Sequence, residues 1–127
     1  MEKTIVNSAR VPRLGPYSQA VRVGEMLYIA GQVGIDPATG NTAGDDFASQ
    51  ARQAFTNLRN LLEDAGSGME RVVKVTCFVH EAEAFAQLNE LFGEYFASDP
   101  PVRSTPIVSL PKGLKFSIDA VAIAGRA

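Results

Sequence analysis

The chain has 127 residues, 46% hydrophobic and 20% charged, with a formal net charge of −2, one Cys and one His. That length suits a single domain spanning residues 1–127, and the faintly acidic balance argues against a nucleic-acid partner. A lone Cys excludes an internal disulfide, one Cys and one His do not make a zinc site, and nothing approaches the ~18 apolar residues of a membrane span.

The N-terminus, Met1-Glu2-Lys3-Thr4-Ile5-Val6-Asn7, is too polar for a secretory leader, so a cytoplasmic protein is expected. Residues 3–7 read as a short strand. Ala9 to Tyr17 is a loop punctuated by Pro12, Gly15 and Pro16, and Tyr17, after the stiff Gly-Pro step, either packs on the domain edge or lines a cleft. Residues 18–24 and 26–33 read as two strands, and Gly24-Glu25 between them fits a type II′ hairpin turn with Gly first. Gly31 sits inside the second strand, where glycine marks a bulge or a close backbone approach by a ligand. Gly34 to Asn41 is turn-rich but lacks the Gly-Lys-Ser/Thr ending of a phosphate loop.

A long helix is predicted over 45–65. Phe47, Ala51, Ala54, Phe55, Leu58, Leu62 and Ala65 recur at steps of three and four. Asp45 and Asp46 suit its positive end, and Gly66 suits the left-handed C′ position. Glu70 to His80 is the clearest strand, with Val73, Val75, Cys77 and Val79 on one face and Val72, Lys74, Thr76, Phe78 and His80 on the other. Cys77 reads as a small core residue and His80 as a surface residue. A second helix over 82–97 carries Phe85, Leu88, Phe92, Tyr95 and Phe96 as its apolar stripe, with Asn89 at the border, bonding locally or pointing into a site. Pro100 and Pro101 stop it. Residues 103–110 and 114–124 read as the last strands. In the second, Ser117 and Asp119 share a face, and Asp119, among apolar neighbours, needs a partner if buried: Lys74, Lys115 or Arg103.

Arg103 stands between the proline-broken helix end and a strand. An arginine so placed forks two N–H donors onto a carboxylate, in a surface salt bridge or in a ligand site. The element order ββ(β)-α-β-α-ββ is an α+β sheet with both helices on one face. The other face carries apolar residues that no remaining segment covers, which predicts an oligomer.

In combination, Gly15-Pro16-Tyr17, Ala30-Gly31-Gln32, Leu88-Asn89, Pro101-Val102-Arg103-Ser104 and Leu110-Pro111 resemble the RidA (YjgF) family, over a stretch running from Gly15 to Ala122. The resemblance implies a chorismate-mutase-like fold, a mixed sheet with two helices packed on one face, and a homotrimer with ligand clefts between subunits. It implies hydrolysis of reactive enamines and imines of the 2-aminoacrylate and 2-iminopropanoate type to 2-oxo acids and ammonia, with no metal and no cofactor.

Carried over residue by residue, the resemblance makes Arg103 the grip on the substrate carboxylate, with the Gly31 N–H facing the same group. Tyr17 and Asn89 match cleft residues, and Thr105 takes the place of a Cys while keeping its backbone N–H for the ligand. The chain departs from the family at three places. Ala30 replaces a Ser. The run from Arg103 to Pro111 is one residue short, with Pro106 inside it. Ser117 stands where a Glu is credited with handling the hydrolytic water, and Asp119, with the same facing, aligns with a second acidic position. The expected set is Arg103, Ser117 and Asp119 for chemistry, and Tyr17, Ala30, Gly31, Asn89, Arg103 and Thr105 for binding. Two rival readings are a non-catalytic trimer that binds small carboxylate metabolites, which Ser117 favours, and the family's older endoribonuclease or translation-inhibitor label, which the acidic balance and single His do not support.

Overall fold

The Gly24-Glu25 turn takes the conformation its residues favour. Gly24 has φ +59°, Glu25 keeps a negative φ, and Val23 pairs with Met26 across them, as a type II′ turn requires. This turn joins β2 (Ala20–Val23) to β3 (Met26–Val33). In the computed structural model, which describes residues 1–125, β1 (Lys3–Val6) pairs outside β2, and β3 turns its other edge to β6 (Phe116–Ile123). β4 (Val72–Val79) follows, and β5 (Val102–Ser104) ends the row. The order is β1-β2-β3-β6-β4-β5, antiparallel except for the parallel β4–β5 pair. A parallel pair needs a crossover, and here it contains helix α2 (Phe85–Tyr95).

Helix α1 (Phe47–Asp64) starts where Asp46 accepts the Ser49 N–H at 3.0 Å, a bond that holds the Asp46 carboxyl below the usual carboxylate range. It ends in a Schellman motif: Gly66, at φ +78°, donates to Glu63 O (3.0 Å) and Ser67 donates to Leu62 O (2.8 Å). Phe55, fully buried, centres the core that α1, α2 and the sheet share. Its ring lies 4.6 Å from that of Tyr95 and 5.5 Å from that of Phe116.

Among the described residues both α-helices pack on one face of the mixed six-stranded sheet. The opposite face is uncovered: Ile5, Tyr28 and Val102 are 55%, 49% and 66% exposed. Among the described residues no helix is long and apolar enough to cross a membrane.

Three sequence expectations are corrected. On β4 the pairing steps from Val72↔Ala122 to Lys74↔Val121, so two residues oppose one. This bulge turns Val72 inward (6% exposed) and leaves Val73 outside (38%), because an extra residue resets the period-2 alternation. The strand expected over 103–110 stops at Ser104. Pro106 has no N–H to donate, and only an isolated bridge from Val79 to Ile107 continues the pairing. Phe85 is 45% exposed rather than core, since α2 begins at that residue, after a 3-10 turn over Ala82–Ala84.

Candidate functional site

The expected site residues fall into two groups on opposite sides of the sheet. The first centres on Arg103. In β5 the alternation leaves Val102 and Ser104 outside, while Arg103 registers beside Val75, which is fully buried beneath the helices. Arg103 therefore projects to the helix side, where Phe85, Asn89 and Phe92 share one stripe of α2 at steps of four and three. Its Nη2 donates to Asn89 Oδ1 at 2.8 Å, and its guanidinium carbon lies 5.4 Å and 4.9 Å from the ring centroids of Phe85 and Phe92. The two aromatic faces favour the cation and leave N–H donors for another acceptor. No carboxylate pairs with Arg103 among the described residues, so a salt bridge within the chain does not account for it. Thr105, half-buried, follows β5 by one residue.

The second group lies on the open face. Between Ile29↔Ala120 and Gln32↔Ile118, β3 spends one residue more than β6, placing a bulge at Ala30-Gly31. Ala30 is satisfied on both sides: its N–H donates to Gln19 O (2.9 Å) and its carbonyl accepts from Gln32 Nε2 (3.0 Å). It brings Gly31 beside Ser117, so that a Cβ on Gly31 would stand 2.9 Å from Ser117 Oγ. Both border an open cleft of about 380 Å³, together with Tyr17, Leu14, Val33 and Leu110. Tyr17 folds its ring over Gly15, where a Cβ would come within 2.6 Å of the ring. Its loop is tied to α1 by Asp64, which accepts from Ser8 Oγ and pairs with Arg10 (2.7 Å). Both partners hold the Asp64 carboxyl below its usual range.

The cleft's far wall is the chain after Val108. Leu110 N–H donates to His80 Nδ1 (3.2 Å), which gives the strand-end histidine a structural partner. Leu114 N–H closes on Pro111 O (3.0 Å) across Lys112 (φ +56°) and Gly113 (φ +74°), a type I′ turn.

Asp119 shares the open face with Ser117, as expected, but the ion pair proposed for it does not form. Its Oδ1 accepts the Thr76 N–H at 3.2 Å, Lys115 pairs with Glu81 (3.4 Å), and Arg103 lies across the sheet. None of the described residues lining the cleft is a carboxylate. Cys77 is fully buried and burial pushes its thiol up to about 12, which removes it as a nucleophile. A second depression, bordered by Asp45, Asp46, Glu81 and Glu83, is too negative to attract a carboxylate ligand.

The sequence reading passed over Gln50, Asn57 and Gly34. The first two are buried amides on α1 that hold the cleft's walls, and Gly34 packs on the backbone of Gln50. The available signal was their position, since Phe47, Gln50, Ala54, Asn57 and Leu61 follow the helix's own apolar spacing.

Comparisons with known proteins place this geometry in context. The Endoribonuclease L-PSP family profile matches residues 8–124. The chain is 38% identical over 125 residues to human 2-iminobutanoate/2-iminopropanoate deaminase, covering 97% of this chain and 91% of that protein. It is 40% identical over 122 residues to a RutC family protein of Pyrococcus horikoshii, covering 94% and 97%. Among solved structures, RidA from an Antarctic Psychrobacter superposes with a TM-score of 0.90 at 35% identity, covering 94% of this chain and 98% of that one.

Proposed function

The chain belongs to the Endoribonuclease L-PSP family, in its RidA branch, and from this we propose that it hydrolyses reactive 2-imino acids and their enamines to 2-oxo acids and ammonia. The observation that carries the reading is Arg103: a guanidinium held by Asn89 and two aromatic rings, with no carboxylate paired to it among the described residues. Such a group is built for an incoming carboxylate, worth about 1.5–3 kcal/mol as a charge-assisted pair.

In this reading the enamine takes a proton at its terminal carbon and becomes the imine. Water adds to the imine carbon, the C–O bond forming as the C=N electron pair moves to nitrogen. The tetrahedral adduct then loses ammonia, and its hydroxyl proton leaves as C=O forms. A protonated imine is already a strong electrophile, so the protein's task is chiefly to place it and one water. Arg103 and the Gly31 N–H hold the carboxylate, Tyr17 borders the reacting carbon, and Ser117 Oγ orients the water. Asp119 acts as the proton acceptor through that water. General-base help is typically 10²–10⁴-fold, so a distant carboxylate slows the step without abolishing it.

The reading includes a homotrimer and a cytoplasmic location. Arg103 and the Gly31–Ser117 floor face opposite ways within one protomer, so a small substrate meets both only if a neighbouring copy brings its Arg103 group to this cleft. The uncovered apolar sheet face is the surface on which copies would associate.

One observation favours a second reading, a trimer that binds small carboxylates without turning them over: no carboxylate lines the cleft among the described residues. The test is competition with semicarbazide for 2-iminopropanoate made in situ by an amino-acid oxidase. The deaminase reading expects wild type to outcompete the trap, Arg103→Ala to fail and Asp119→Asn to be slowed. If wild type fails with small and bulky imines alike yet binds 2-oxo acids through Arg103, the binding protein is correct.

A further inference from the structure

Both walls of the cleft are held from behind by one face of α1. Asn57, 1% exposed, donates from Nδ2 to the carbonyls of Val33 (3.1 Å) and Ile35 (2.9 Å), and its Oδ1 accepts from Gln53 Nε2 (2.9 Å). Two turns earlier Gln50, also 1% exposed, donates from Nε2 to Gly113 O (3.2 Å) and Gly44 O (3.0 Å), while its Oε1 accepts the Lys115 N–H (2.8 Å). Val33 and Ile35 form the β3 wall, and Gly113 and Lys115 bracket Leu114 in the wall opposite. Between them Gly34 approaches α1 so closely that a Cβ would fall 2.4 Å from Gln50 O.

Both walls leave regular structure at these points, the first just after Val33, which ends β3 opposite Ser117. Residues 34–35 lie just past the end of β3, and Gly113 belongs to the type I′ turn. Irregular backbone cannot draw its position from a ladder, so it takes it from side chains. A leucine at either position would suit the apolar stripe of α1, as Leu58 and Leu61 do, but would withdraw these bonds. The helix is thus a rigid spacer with one amide assigned to each wall.

We infer that Gln50 and Asn57 are positioning residues that set the width of the cleft, and with it the side-chain size of the 2-imino acid it accepts. The identity of the ligand rests on the deaminase reading. The positioning rests on the geometry of the walls.

The test compares Gln50→Ala and Asn57→Ala with Ser67→Ala, which removes a buried hydrogen bond to Ile123 O (2.7 Å) at the end of β6 away from the cleft. Each is assayed below its melting temperature with 2-iminopropanoate and with the branched imine derived from leucine. The ratio of the two kcat/KM values shifts about tenfold in the amide variants, the scale on which a pocket senses one or two methylenes, and stays at the wild-type value in Ser67→Ala. Gln50→Glu keeps the acceptor for Lys115 N–H but not the donor, and falls between. A ratio that remains constant in both alanine variants overturns the inference, whatever their stability loss.

If wild type turns over neither imine, the deaminase reading fails by itself, and amide hydrogen exchange decides the positioning. Faster exchange at Leu114 and Lys115 in Gln50→Ala, and at Ile35 in Asn57→Ala, than in Ser67→Ala supports it. Equal exchange in all three overturns it.

Discussion

Arg103 and Ser117 stand on opposite faces of one sheet: Arg103 registers beside buried Val75 and reaches α2, whereas Ser117 alternates with buried Phe116 and Ile118 and faces the open side. Removing the guanidinium should therefore cost ligand affinity while leaving the open-face cleft intact. Arg103→Ala is expected to weaken 2-oxo acid binding about 10- to 150-fold, equivalent to roughly 1.5–3 kcal/mol. Arg103→Lys keeps the charge but loses the planar fork and falls between the two. Calorimetric titration with 2-oxobutanoate measures both.

The cleft floor offers a gain-of-function test. Ser117 supplies a hydroxyl where the proposed chemistry would profit from a carboxylate. If water activation limits the rate, Ser117→Glu raises kcat by about 10²-fold, the lower end of the usual range of general-base help. The thermal midpoint stays near that of wild type, because the side chain faces an open cleft. Steady-state rates and a melting curve on the same preparation check both halves.

Two glycines three residues apart should behave oppositely. A methyl at Gly31 meets only the hydroxyl end of Ser117, which can rotate away, so Gly31→Ala should keep its stability while crowding the ligand. At Gly34 the obstacle is the backbone of Gln50 in α1, which cannot yield without moving the helix. Gly34→Ala is expected to lose about 1–3 kcal/mol or more, readable as a shift in the urea midpoint.

Acid stability should depend on Asp64. Its folded pKa is depressed by hydrogen bonds from Arg10 and Ser8. A depressed carboxylate contributes stability that is fully present above its unfolded value, near 3.9, and is lost as the pH falls through the lower folded value. Asp64→Asn should be less stable than wild type at pH 7, with the gap closing as the pH falls below the unfolded value and through the depressed folded one. Thermal melts across that range provide the comparison.

Cys77 makes the opposite prediction at alkaline pH. Its folded pKa is raised to about 12, so the stability it contributes is full below the unfolded thiol value and is lost as the pH rises through the folded one. Native protein should resist a thiol reagent until it unfolds, and Cys77→Ala should flatten the alkaline fall in stability. Cys77→Ser, which buries an unpartnered hydroxyl, should cost about 1–3 kcal/mol at neutral pH.

Much of the fold follows from local pattern. The steps of three and four in α1, the Gly24-Glu25 turn and the alternation of Phe116 to Ile123 are one-dimensional signals, and each element formed near its expected place. The kinship of the chain was legible from short combinations such as Gly15-Pro16-Tyr17 and Pro101-Val102-Arg103-Ser104. The two bulges were less so. Gly31 hinted at one, but Val72-Val73 looks like uninterrupted strand, and only pairing against β6 reveals that two residues there oppose one.

What the sequence by itself determined is therefore the succession of elements and the family. It also placed a lone arginine among groups of the right type. What only the tertiary structure decided is which of those groups can act together. It put Arg103 with Asn89 and the phenylalanines of α2, put Gly31 with Ser117 and Tyr17 across the sheet, and left Asp119 on the Thr76 N–H instead of on a cation. It also gave Gln50 and Asn57, polar interruptions in an apolar stripe, their irregular partners. The physical reason is that facing, register and the satisfaction of buried polar groups arise between segments far apart in the chain, and no local periodicity encodes them.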